Sequence, residues 1–240
     1  MQQKCKKNFV YQVLVFLIIF TLSPLDTAAA HIGHYKNLKR IEFDIYRNSK
    51  NIGKHIFSFK KNGKFLDVES KLNFQIKKFG IVLYKYNTEG VERYEGDKLI
   101  KFSSKTNQNG KEKYVILELD IKKNKYVING SSFKGETDPE YLVGTWWNHS
   151  LVKSKAQISA VSGRIIYQKV KFLGKETIVI DGKDYKTLHF NFSSTDKKLG
   201  KDKKLNTDIW YEEKNLNWVK ASFKKKGNWT YKLVSIDYFF

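Results

Sequence analysis

The chain has little of several residue types. Its 240 residues include one cysteine, one methionine and two prolines, and arginine supplies only four of the 45 basic side chains. A single cysteine excludes a disulfide framework and a thiolate metal site. The scarcity of proline suits regular strands, in which proline removes a ladder hydrogen bond. Acidic residues number 24, so the formal net charge is +21, yet nearly all of the excess is lysine spread along the chain. A nucleic-acid surface would gather arginine, lysine and aromatics on one face. The dispersed pattern reads instead as a solvated face, and nucleic acid is not an expected partner. With 41% hydrophobic and 15% aromatic residues, the chain has ample material for a core.

The one long apolar run lies near the start. Lys4, Lys6 and Lys7 precede an apolar stretch from Phe9 to Leu22, and Ala28-Ala29-Ala30 follows. These are the three parts of a secretory leader. The run is shorter than the roughly 20 residues that span a bilayer, so residues 1–30 are expected to be a signal peptide cleaved after Ala30. The mature chain, 31–240, would be one β-rich domain in the periplasm, without a transmembrane segment and as a monomer. Removing the leader takes Cys5 with it and leaves 42 basic and 23 acidic residues, a net charge of +19. Lysines facing outward would be attracted to an anionic envelope surface.

Beyond the leader the dominant period is two. Leu66, Val68, Ser70, Leu72, Phe74 and Ile76 alternate with polar residues, an arrangement that belongs to a half-buried strand. The same alternation marks Ile41 to Ile45, Val115 to Ile121, Leu188 to Phe192 and Trp229 to Leu233. Turn signals separate the runs: Asn62-Gly63, Glu95-Gly96-Asp97, Asn109-Gly110, Lys123-Asn124, Asp181-Gly182 and Lys226-Gly227-Asn228. Ten to twelve strands in a curved antiparallel meander, a half-open barrel or clam, are expected. The rhythm fails only around 141–161, where a short helix or long loop is expected. An apolar face of this extent either encloses a cavity or is filled by its own aromatics.

Ile52-Gly53-Lys54-His55, Phe79-Gly80-Ile81, Tyr84-Lys85-Tyr86, Glu92-Arg93-Tyr94, Thr106 to Gly110, Trp147-Asn148, Gly163 and Ile209-Trp210-Tyr211 resemble, in order and spacing, a bacterial secreted family catalogued as domain of unknown function 6134. The resemblance implies a periplasmic β-rich protein distantly similar to the lipoprotein-carrier (LolA-like) folds, in which a curved sheet wraps an apolar cavity. It supplies no catalytic residues.

The chain has no nucleophile elbow, zinc-protease helix, phosphate loop or dinucleotide fingerprint. No cofactor is implied and no enzyme is expected. His55, His149 and His189 could meet carboxylates such as Glu92 or Asp208 in space, although His189 alternates with Leu188 and Phe190 and reads as an exposed strand residue. A freshly exposed His31 with His34 could chelate Cu(II) or Ni(II) through nitrogen ligands. The expected role is binding of a lipid or acyl chain in the concave sheet, with Trp146, Trp147, Asn148, Tyr84, Tyr86 and Trp210 as ligand-binding candidates. A structural or interaction module of the envelope with a filled core is the alternative.

Overall fold

The computed structural model describes residues 35–200 and 203–239. The expected leader, its cleavage point after Ala30, and His31 and His34 lie outside the described residues. Fifteen strands follow in chain order: β1 (Leu38–Arg47), β2 (Lys50–Asn62), β3 (Phe65–Lys78), β4 (Ile81–Glu95), β5 (Lys98–Gln108), β6 (Lys111–Asp120), β7 (Lys125–Gly130), β8 (Lys134–Thr137), β9 (Leu142–Val143), β10 (Ala156–Ile158), β11 (Ile165–Ile180), β12 (Lys183–Ser194), β13 (Asn206–Glu212), β14 (Trp218–Lys224) and β15 (Asn228–Tyr238). All six expected turns join strands here, and two more, at 48–49 and 79–80, are equally tight. The expected count of ten to twelve is corrected to fifteen. The alternating runs fall on β1, β3, β6, β12 and β15, and β8, β9 and β10 are too short to carry a period.

The strands form one sheet in the order β8-β7-β6-β5-β4-β3-β2-β1-β15-β14-β13-β12-β11-β10-β9. The first and last strands pair in the middle, from Leu38↔Tyr238 to Arg47↔Trp229. Every pairing is antiparallel except the two-residue contact of β9 with β10. The sheet curves without closing into a barrel, and its two edges, β8 and β9, belong to neighbouring residues.

The concave face holds the core. Ile41, Phe43, Ile45, Phe57, Phe59, Phe102, Val115, Leu117, Phe192 and Ile209 are all essentially inaccessible to water. Each such side chain contributes about 1.5–3 kcal/mol by leaving solvent. The strap of residues 138–164 closes this face. It carries the expected short helix, a 3-10 turn at His149–Lys153 capped by Asn148, whose side chain accepts from the Ser150 amide. Trp147, Leu151, Ala156 and Ile158 on the strap are fully buried. Gly130 on β7 admits the strap: a β-carbon there would lie 2.6 Å from the Ser162 carbonyl oxygen.

The outer face is not uniformly wet. At Gly174 a register shift bends β11 relative to β12, and beyond it Ile180 is buried, while burial and then the charges of Asp44 and Asp181 raise the phenol pKa of Tyr46 on β1. The end of the β11–β12 hairpin therefore lies over the convex side of the sheet.

Candidate functional site

The aromatic residues of the concave face gather at one end of the sheet. Alternation puts Phe74, Tyr84 and Tyr86 on the inner side of β3 and β4, and Trp229 and Tyr231 on the inner side of β15. Phe74 stacks on Tyr86 at 4.9 Å with an interplanar angle of 8°, and on Tyr84 at 6.0 Å. Trp229 meets the edge of Phe74 at 5.2 Å and stacks on Phe223 of β14 at 5.7 Å. Trp146 of the strap completes the ring, 6.4 Å from Phe223 and 5.9 Å from Tyr231. Close approach of β2 beneath β3 requires a glycine at 53, where a β-carbon would sit 2.0 Å from the Asn73 carbonyl oxygen. Tyr84, Tyr86, Trp146, Phe223 and Trp229 are only half-buried. The ring is thus an aromatic vestibule rather than sealed core.

The vestibule floor holds three buried polar atoms without a hydrogen-bond partner: Trp146 Nε1, Trp218 Nε1 and His55 Nδ1. The Trp218 ring lies 5.5 Å from Trp146, 5.6 Å from Tyr231 and 6.2 Å from His55. Burial lowers the His55 pKa to about 3, so the imidazole is neutral. A buried polar atom left without a partner costs about 1–3 kcal/mol. Three of them beside one aromatic opening form a surface suited to a molecule with both apolar and hydrogen-bonding parts.

Trp146 and Trp147 part company because Trp146 adopts a left-handed backbone, φ 63°. Trp146 turns to the vestibule and Trp147 to the core. The Trp147 indole donates to Glu92 Oε1 at 2.9 Å, as does the Thr145 hydroxyl, and the Tyr94 phenol donates to the other carboxyl oxygen. Tyr35, Phe59 and Tyr94 present edges to the Trp147 ring at 5.2–5.8 Å. Glu92 is buried among neutral donors, and desolvation raises its pKa despite the three hydrogen bonds. Its role is to pin the strap.

Of the six expected ligand-binding residues, Tyr84, Tyr86 and Trp146 therefore share one site. Trp147 and Asn148 hold the strap. Trp210 lies on the convex face, where its ring stacks on His189 at 4.1 Å, Lys220 Nζ sits 4.4 Å from its centroid, and its indole donates to Glu176 at 2.6 Å. His189 does meet carboxylates, Nδ1 at 2.8 Å from Glu176 and Nε2 at 3.6 Å from Asp208, and it is half-buried rather than exposed. His149 packs on Tyr211 at 4.7 Å. Phe223 and Trp229 were missed as site residues, although Trp229 lies on the same strand face as Tyr231.

Two depressions of the surface are open to solvent: one of about 550 Å³ between Glu69, Glu89, Lys105 and Tyr114, and one of about 840 Å³ beside Arg40, Lys60 and Phe239. Among the described residues no group of three or more His, Cys, Asp or Glu side chains could hold a metal ion, and no helix is long and apolar enough to cross a membrane.

The crystal structure of a β-barrel-like protein of domain of unknown function DUF1849 from Brucella abortus is similar over 85% of this chain and 98% of that one, with a TM-score of 0.61 at 12% identity. That likeness shows the fold. A DUF1329 family protein from Desulfovibrio piger matches at a TM-score of 0.19 and 11% identity, covering 86% and 88% of the two chains, and carries no argument. No curated protein matches the chain. Residues 43–234, from the middle of β1 to within the last strand, match the domain of unknown function family DUF6134, and the chain belongs to that family.

Proposed function

We propose that the protein is an exported, non-catalytic binding protein of the cell envelope that takes an amphipathic molecule, a lipid or acyl chain, at the aromatic vestibule. The observation that carries this reading is the set of three unpartnered buried polar atoms, Trp146 Nε1, Trp218 Nε1 and His55 Nδ1, beside half-exposed Phe223, Trp229 and Tyr84. An acyl chain lying along Phe74, Trp229 and Tyr84 would lose water contact, and a hydroxyl or carbonyl at its inner end would pair with the indole donors. Export rests on the charged, apolar and small-residue segments before His31.

A second reading, an interaction module with a filled core, is favoured by Trp147, Leu151 and Ile158 occupying the centre of the concave face. The two separate in one experiment. Protein purified from its own periplasm is analysed by native mass spectrometry and organic extraction, then delipidated and titrated with oleate while tryptophan emission is followed. Saturable binding, weakened in Trp229→Ala and unchanged in Ile121→Ala, a substitution at an exposed position away from the vestibule, supports the vestibule. Protein that is empty as isolated and shows no saturable oleate binding supports the module. Sequencing the mature terminus tests export, which requires a start at His31.

A further inference from the structure

The β3–β4 hairpin outruns its neighbours. β2 stays paired with β3 only to Gly53↔Phe74, and β5 meets β4 only from Tyr86↔Gln108. Beyond these, residues 76–84 form a two-stranded ribbon that, at about 3.4 Å per residue, projects roughly 15 Å. Its tip is apolar: Phe79 is 92% exposed, Ile81 66%, Leu83 55% and Val82 47%. Val82 lies opposite Lys77 and Ile81 opposite Lys78, with Leu83 at the register shift between them, so Ile81 and Val82 point to opposite sides of the ribbon and both sides are apolar.

The turn residue is unusual. Five tips of the sheet have two successive residues at positive φ; three of them begin with Asn48, Asn109 or Asp181, short side chains that tolerate that backbone, and one with Lys226. The fifth places the aromatic Phe79 there, at φ 48°, with Gly80 next at 80°. A bulky aromatic in this conformation is disfavoured, and exposing it to water adds to the cost.

Around this tip the charge is almost wholly positive. Lys77, Lys78 and Lys85 stand on the ribbon, with Lys78 Nζ 5.5 Å from the Phe79 ring centroid. The three neighbouring turns, 47–50, 109–113 and 224–227, add seven cations against the single carboxylate of Glu112. A protein groove would cover one side of a ribbon. Apolar side chains on both sides, with cations behind them on every flanking turn, fit a medium that surrounds the tip, and the sign of the charge selects an anionic one.

We propose that the β3–β4 ribbon is a membrane-docking finger: Phe79, Ile81, Val82 and Leu83 enter the interfacial layer of an anionic lipid bilayer while the lysines behind them bind its headgroups. Docking stands apart from ligand binding at the vestibule, although the vestibule opens at the same end of the sheet.

Flotation of the mature chain, residues 31–240, with phosphatidylglycerol-containing vesicles tests this, with phosphatidylcholine vesicles as the control. Wild-type protein floats with the anionic vesicles and is released near about 0.5 M salt, where surface charges are screened. Phe79→Asn suits the turn and keeps the fold, and it lowers the partition by about tenfold or more, the factor for withdrawing one buried aromatic ring. Phe79→Trp shifts its emission to the blue only with anionic vesicles, whereas oleate binding in Phe79→Asn is unchanged. The proposal is overturned if wild-type protein does not float with anionic vesicles, or if Phe79→Asn floats equally well. A wild-type dimer that becomes monomeric in Phe79→Asn, without vesicle affinity, would assign the tip to a second copy and overturn it as well.

Discussion

Glu92 holds the strap to the sheet, and the consequence of removing it can be worked from its contacts. Glu92→Leu deprives three buried donors of their acceptor: the Trp147 indole, the Thr145 hydroxyl and the Tyr94 phenol. At about 1–3 kcal/mol for each of the three orphaned groups, the expected loss is about 3–9 kcal/mol, comparable with the whole stability of many domains. Glu92→Gln keeps an acceptor oxygen for Trp147 and Thr145 and can donate to the Tyr94 oxygen, so at acid pH it loses no more than about 1.5 kcal/mol. The two variants also separate by pH. Burial raises the Glu92 pKa above its ordinary 4.5, so the folded state holds a proton that the unfolded chain releases. The stabilising contribution is complete below 4.5 and is lost as pH rises through the folded value, at about 1.4 kcal/mol per unit within that window. Urea unfolding followed by tryptophan fluorescence, at several pH values from about 4.5 to 8, should therefore show Glu92→Gln gaining on wild type as pH rises. A gap that does not change with pH would refute the buried, neutral-partnered carboxylate. Equal stability of Glu92→Leu and Glu92→Gln would refute the strap anchor.

Other positions give sharper single readings. His55 has the opposite sign: its pKa falls from 6.5 to about 3, so stability present above 6.5 is lost as pH falls, by about 1.4 kcal/mol per unit, and His55→Leu should flatten the acid limb of the unfolding curve. Gly144→Ala places a β-carbon 2.0 Å from Gln157 Oε1, whose amide donates to Gln168 in a buried pair; the expected loss is about 1–3 kcal/mol in urea unfolding. Trp210→Ala should destabilise the domain by about 3–5 kcal/mol in the same assay, because the ring is 93% covered by its convex-face neighbours.

Much of the fold was legible because its signal is local. A half-buried strand must alternate, so Leu66 to Ile76 declared β3 without any knowledge of its partners. The turn pairs Asn109-Gly110 and Asp181-Gly182 were equally plain, since few residues accept a left-handed backbone. Phe79-Gly80 escaped because an aromatic is not a turn signal, and β8 to β10 escaped because two to four residues show no period. Tyr84, Tyr86 and Trp146 were candidates by residue type, and the structure gathers them at one end of the sheet. Trp210, read by the same logic, faces the other way.

The sequence by itself determined an antiparallel meander, its turns, and the irregular segment that breaks it. Tertiary structure alone decided which aromatics meet. Trp146 and Trp147 are adjacent in the chain, but one left-handed residue sends them to the vestibule and to the Glu92 anchor. Tyr84 and Trp229 are 145 positions apart, yet both pack on Phe74 because β1 pairs with β15 and brings the two ends of the chain together. Alternation fixes the face of a strand on which a residue lies, whereas closure of the sheet over long loops fixes its neighbours, and no local pattern records that closure.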